Sequence, residues 1–334
     1  MRRTIGLVAV ALLTLASCAN RAKQTTSLYE AGDYAGAARE ADAELAKHPK
    51  DDDLWRMRIR AALALGDAAG VARAYASYRA QHDEDDAELL TDLATATLGQ
   101  ALASPSAKLK ISAIDAVASN ELYVLAEQVA ERMGDDDDRV AASAAVAVLR
   151  GFPQAPGVAS DMLRSEDPEA RRIAIDGIGK KVGAIAAADL HKAAADPDPR
   201  VRRTAIRWLG VIKDKEAPPL LERNLRHPDE GVRAAAASAL ARIGTGDLAG
   251  FAKRALADKT LAVRLAGIEL LVAAKRNDEL LALAADADPM VAAEAAIAVK
   301  RSDLATRAVE RATTAELWTI RAGAANTAVR AGGK

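Results

Sequence analysis

Asp198-Pro199-Arg200-Val201-Arg202, Glu230-Gly231-Val232-Arg233 and Leu261-Ala262-Val263-Arg264 are three statements of one phrase. Their Val-Arg pairs stand 31 residues apart, and Ala170-Arg171 lies the same distance upstream of Val201-Arg202. A fixed period of roughly 20 to 50 residues marks a solenoid, in which one supersecondary unit stacks on copies of itself because a single copy cannot bury its apolar face. The phrase also says that the unit is helical. An Asp-Pro pair precedes it at Asp167-Pro168, Asp198-Pro199 and Asp288-Pro289. Aspartate suits a helix N-cap, and proline suits the first turn, where its missing N–H has no intrahelical acceptor to lose. Small residues follow one helical turn later at Ala174, Ala205 and Ala236. A second helix is expected after each phrase, at 217–225, 248–256 and 278–285.

Working outward, the position of Val201 recurs at Leu109, Val140, Ala170, Val232, Val263, Val291 and Ile320, which defines eight units over residues 103–334. The first and last units depart from the pattern: Lys110 and Ala292 stand where arginine is expected, although Arg321 restores it after Ile320. Residues 27–102 carry another period, because Gly32-Asp33-Tyr34 and Gly66-Asp67-Ala68 lie 34 residues apart. Two hairpins with glycine turns are predicted there, closed by a third helix over 86–102. Ser104-Pro105-Ser106 permits a bend between the arrays, since proline restricts the residue before it and interrupts helix pairing. The predicted fold class is all-α, a right-handed α-solenoid of about two hairpins of the first kind and eight of the second.

Composition agrees with helices and bounds function. The 334 residues are 50% hydrophobic but only 3% aromatic. Much of the apolar fraction is alanine, which favours helix and lets helices approach closely. The formal charge is −1. That balance argues against a general nucleic-acid binder, which needs a basic excess to displace counterions. Cys18 is the single cysteine, so an internal disulfide and a cysteine metal cluster are excluded. It follows a short positive start at Arg2-Arg3, an apolar run from Ile5 to Leu15, and Ala16-Ser17. The run is too short for a permanent span, which takes about 20 residues.

Met1 to Cys18 resembles the signal sequence and lipobox of a bacterial lipoprotein. The resemblance implies a signal peptide over 1–17, cleavage between Ser17 and Cys18, a diacylglyceryl group on the Cys18 sulfur, and a lipidated tether over 18–26. Two or more acyl chains hold stably where one is marginal, at roughly 0.8 kcal/mol per buried methylene. Ala19, rather than aspartate, after the lipidated cysteine favours the outer membrane by the same resemblance, with the protein facing the periplasm. Gly32, Tyr34, Ala37, Pro49, Trp55 and Gly66 resemble the tetratricopeptide repeat, a 34-residue helical hairpin, whereas Val71 and Asp83 depart from it. The Val-Arg phrase with its downstream alanines and leucines resembles the short HEAT repeats, including the subtype named after phycobilin lyases. That likeness is informative for fold and nearly silent on chemistry.

Arg171, Arg202, Arg233, Arg264 and Arg321 admit two readings. They form a basic ladder for an anionic ligand, or each pairs with an acid of the neighbouring unit and sets the stacking register; bidentate guanidinium–carboxylate geometry favours the second. The acidic runs 51–53, 83–86 and 135–138 lack the spaced ligands and central glycine of a calcium loop, and they read as solvated caps at helix N-termini. His48, His82, His191 and His227 fit no zinc-ligand spacing, and His48 and His227, each before a proline, read as surface turn residues. No nucleophile elbow or phosphate loop is present. Trp55 reads as core, Trp208 as packing between hairpins, and Trp318 as core or a docking aromatic near the C-terminal cap.

No cofactor, metal or nucleic acid is expected. The leading expectation is a non-enzymatic, lipid-anchored scaffold that binds envelope proteins along a solenoid surface, held to the membrane through Cys18. A ligand-processing enzyme of the bilin-lyase-like type requires a pocket of convergent titratable groups, and a cell-wall or glycan binder requires aromatics along one face. Neither requirement is met by the sequence.

Overall fold

A computed structural model describes residues 22–82, 84–149, 157–313 and 327. Ser17, Cys18, Asp83, Trp318 and Arg321 lie outside the described residues. All regular structure among the described residues is helical. The chain divides into two compact bodies, one of residues 1–104 with 122–125 and the other of residues 105–121 with 126–334.

The N-terminal body contains α1 (residues 22–30), α2 (Tyr34–Leu45), α3 (Asp52–Ala64), α4 (Ala68–Gln81) and α5 (Ala87–Leu102). The two glycine turns are chemically alike. Gly32 and Gly66 take φ of 80° and 68°, the left-handed region where a Cβ is penalised. Asp33 and Asp67 then cap the next helix, accepting from Gly36 N and Gly70 N at 2.8 Å each. Leu54, Ile59 and Leu89 are fully buried in this body. Trp55 is buried with them, meets Tyr78 edge-on and donates from its indole nitrogen to Pro49 O at 2.8 Å. Pro49 thus both ends the first hairpin and supplies the acceptor that a buried indole N–H needs.

Among the described residues of the C-terminal body seven first helices stack in order: α6 (Ala107–Ser119), α8 (Asp138–Leu149), α10 (Pro168–Val182), α12 (Pro199–Val211), α14 (Glu230–Ile243), α16 (Leu261–Ala273) and α18 (Pro289–Ala298). Each is followed by a second helix: α7 (Ala126–Glu131), α9 (Gly157–Ser160), α11 (Ala187–Ala193), α13 (Pro218–Asn224), α15 (Leu248–Leu256), α17 (Asn277–Leu283) and α19 (Ser302–Thr313). One continuous apolar core runs from Ala145 to Ala295, with Ile175, Ile178, Ile206 and Leu209 fully buried. Burying each such side chain stabilises by roughly 1.5–3 kcal/mol, and most are shared between successive hairpins. Small residues set the distance. At Gly210 an added Cβ would stand 2.8 Å from the Ala239 backbone, so α12 and α14 approach to a separation that even alanine would open.

Both ends of the first helices are specified locally. Asp167, Asp198, Asp229 and Asp288 accept from backbone N–H groups of the first turn at 2.7–2.9 Å. Pro168, Pro199 and Pro289 hold the first helical position. At the C-terminal ends Lys213, Gly244, Lys275 and Lys300 occupy the left-handed region. At the three lysines the following N–H closes on the carbonyl five residues back, Asp214 to Leu209, Arg276 to Leu271 and Arg301 to Ala296. This Schellman closure satisfies carbonyls that have no donor within the helix. Among the described residues no helix is long and apolar enough to cross a membrane.

Candidate functional site

The repeated arginine follows the reference valine or alanine in the first turn of α10, α12, α14 and α16, and its surroundings recur with it. Arg171 donates two parallel bonds to Asp196, at 2.8 and 2.9 Å. Arg233 grips Asp258 the same way at 2.7 and 3.0 Å, and Arg264 reaches Asp288. Each aspartate belongs to the following repeat, 24 or 25 residues on. The other side of the guanidinium turns back to its own repeat. Arg171 donates to the carbonyls of Ser165 and Glu166, Arg233 to those of His227 and Pro228, and Arg264 to those of Asp258 and Lys259. The arginine therefore clips the turn between two helices to the next hairpin. The sequence period announces the arginine, but the carbonyl acceptors leave no mark in side-chain identity. With Arg233 at 8% exposure the pair is largely dry. The Arg233 fork, aided by donors from Thr260, holds the Asp258 carboxyl down at about 2.

Arg202 departs from the expectation that every arginine pairs with an acid. It donates to the carbonyls of Asp196 and Ala195, at 2.9 and 3.0 Å, and has no ion pair among the described residues. The reason is the residue 25 positions on, where His227 replaces the aspartate. The same turn position accepts the N–H two residues later in six successive repeats, although Arg264 reaches past it to the cap residue Asp288. Asp135, Ser165, Asp196, Asp258 and Asp286 do so with oxygen, and His227 does so with Nδ1, which accepts from Asp229 N at 3.0 Å. An accepting Nδ1 must be unprotonated. Burial first, and then the Arg202 charge, push the His227 pKa down. His227 is thus a half-buried turn acceptor rather than a surface residue. His48 is likewise half-buried.

Lys110 takes the arginine's place in the first repeat, its ammonium 2.7 Å from Asp135, with both side chains mostly buried. Ala141, in the second, coincides with Ser165 in place of an acid. The acidic runs are more than solvated caps. Asp51 and Asp86 cap helices, but Asp86 is also paired with Arg56 at 2.7 Å and its side chain is only 8% exposed. Asp135 serves Lys110, and Arg139 holds the Asp137 carboxyl down at about 2. Among the described residues no three His, Cys, Asp or Glu side chains converge as a metal site.

A second group of arginines, off the register position, faces an open groove of about 720 Å³ across α10, α12 and α14. Arg172, Arg200, Arg203, Arg207 and Arg242 line it. Three are held by carboxylates outside the groove lining: Arg172 by Glu169 at 2.6 Å, Arg200 by Asp198 at 3.2 Å, and Arg207 by Asp176. Asp176 also accepts the Trp208 indole N–H at 2.8 Å, and the Arg207 guanidinium lies 5.1 Å from the Trp208 ring centre. Trp208 in turn packs on Gly179, where an added Cβ would stand 2.4 Å from the ring. Arg203 and Arg242 are exposed and have no carboxylate partner among the described residues. Only Arg172 and Arg203, 31 residues apart, share a repeat position; Arg200, Arg207 and Arg242 fall elsewhere in the repeat, so sequence reading missed the group.

The comparisons follow this geometry. No curated protein matches the chain. Among solved structures it is similar to an engineered protein with 18% identity, 94% of this chain and 92% of that one covered, and a TM-score of 0.41. A second engineered protein shares 19% identity over 70% of this chain and 95% of its own, with a TM-score of 0.33. Residues 156–241 and 187–272, within the stack from α9 to α16, match the family model of HEAT repeats in two overlapping windows.

Proposed function

We propose that the protein is a non-enzymatic, lipid-anchored scaffold of the bacterial cell envelope, binding a partner protein along its helical-repeat surface. One observation carries the reading. At Lys110, Arg171, Arg233 and Arg264 the recurring charged side chain fastens its repeat to the next, at an offset of 24 or 25 residues. What the array turns outward is a repeated surface, and repeat arrays of this kind bind through extended faces. The N-terminal hairpins are tetratricopeptide-like in their glycine turns and caps, and by themselves present a helical-repeat surface. Arg2-Arg3, the apolar run and Ser17-Cys18 support an anchor at Cys18, and Ala19 supports the outer membrane, facing the periplasm.

The test compares the full-length protein with a Cys18→Ser form in envelope fractions. The expected outcome is incorporation of a labelled fatty acid only when Cys18 is present, together with one stoichiometric partner recovered after mild crosslinking. A Cys18→Ser protein that still labels removes the anchor. A wild type that crosslinks to no protein removes the scaffold.

A further inference from the structure

We propose that the arginine groove across α10, α12 and α14 is the partner-binding site, and that it takes an acidic, amphipathic helical segment of a protein. This rests on the scaffold reading and gives it a place and a chemistry.

The groove combines two features. Its floor is the half-buried stripe of α14, Gly231, Ala234, Ala235 and Ser238, which recur at intervals of three and four and so lie on one face. These residues are small, so a backbone can approach them closely. Gly231 also leaves room for Arg203, whose Nη1 a Cβ there would meet at 2.7 Å. The walls are guanidinium groups, with no lysine and no acid in the lining. An array of arginines suits carboxylates, which they engage through paired donors in one plane. A small apolar floor between cationic walls is complementary to a helix with small apolar residues on one side and glutamates or aspartates along its flanks. A single inorganic anion would leave that floor empty.

Preorganisation and size point the same way. Glu169 and Asp176 hold Arg172 and Arg207 in place before any ligand arrives, and Trp208 supports Arg207 from beneath. Such groups lose little side-chain freedom on binding. Arg203 and Arg242, which tie down nothing in the fold, supply the uncompensated charge. Three stacked helices at about 8–10 Å spacing present about 20 Å of groove, the length of about 13 helical residues.

The test uses fluorescence anisotropy with the full chain and three probes. The first is a labelled 14-residue helical peptide with alanines on one face and glutamates on its flanks; the second carries lysine for each glutamate; the third is a phosphatidylglycerol vesicle. Saturable binding of the glutamate peptide alone is expected, weakening as salt rises. The double variant R203E/R242E, checked for an unchanged thermal melt, is expected to weaken it at least tenfold. Equal binding by the double variant, no binding by wild type, or binding only to vesicles overturns the groove assignment. If R203E/R242E still recovers the crosslinked envelope partner while the peptide fails to bind, the groove inference falls and the scaffold stands. If no partner is recovered even by wild type, the scaffold reading falls with it.

Discussion

Arg233 touches more of the fold than its place in a surface-like phrase suggests. It bonds both oxygens of Asp258 and the carbonyls of His227 and Pro228, at 2.7–3.0 Å. Truncating it strands a mostly buried carboxylate and two carbonyls together. Arg233→Ala is expected to cost about 2–3 kcal/mol in urea unfolding. The Asp258 carboxyl titrates at about 2 when folded, below its ordinary value. Its contribution is therefore present at neutral pH and is lost as pH falls from about 4 toward 2. Arg233→Ala, lacking that contribution, should show a flatter acid limb. His227 offers the converse change. His227→Asp keeps the acceptor for Asp229 N and gives Arg202 the carboxylate that Arg171 and Arg233 already have. The expected gain at neutral pH is about 1 kcal/mol. Because the folded imidazole is held below its ordinary pKa, the wild type loses stability as pH drops below about 6.5, and the aspartate variant should not share that loss. An unchanged Tm with an unchanged profile between pH 7 and 5 would show that Arg202 does not meet position 227.

At the scale of the element, the helix starts were legible and the helix ends were only partly so. Asp-Pro announces an N-cap because both residues act through local geometry that sequence records directly. The left-handed end residues are glycine at Gly32, Gly66 and Gly244, which reads as a turn, but lysine at Lys213, Lys275 and Lys300, which does not. There the Schellman bonds and the tertiary packing override the steric preference. An L-residue in this conformation costs about 1–2 kcal/mol, partly offset by the entropy that glycine adds to the unfolded chain. Lys213→Gly should thus stabilise by about 0.5 kcal/mol, and Lys213→Val should destabilise by about 1 kcal/mol or more, both read from denaturant midpoints. The arginine groove was illegible for a different reason. Its five guanidinium groups come from three helices and only Arg172 and Arg203 share a repeat position, so the stacking of α10, α12 and α14 is what brings them together.

For the molecule as a whole, the period of the Val-Arg phrase sufficed to define an all-helical repeat array, because each repeat repeats its neighbour's contacts. It did not show where the array is weakest. Among the described residues the continuous core reaches as far as Val291 and Ala295. Beyond it, α18 and α19 meet through small separate clusters built largely of alanine, including Ala296 with Ala305 and Ala293 with Ala308. An alanine contact removes less apolar area from water than a leucine or isoleucine contact. Native-state hydrogen exchange should therefore find α18 and α19 opening at a lower free energy than α12 to α16. Equal protection in both regions would mean that the array opens as one cooperative piece.

The constant reach of the register arginines has an evolutionary meaning. Arg171 is satisfied by Asp196 and Arg233 by Asp258, so neither clip draws its carboxylate from between Asp198 and Glu230, and of the two clips only the His227 and Pro228 carbonyls on Arg233 come from that stretch. Excising 199–229 joins one cap aspartate to the start of the next helix, brings Gly179 opposite Ala239 as Gly210 now is, and of the register arginines removes only Arg202, whose acid is missing. Copying the same stretch is equally silent to its neighbours. Such a chain changes length by whole modules, through recombination and not through point mutation, and its binding surface can be lengthened or shortened without renegotiating the fold.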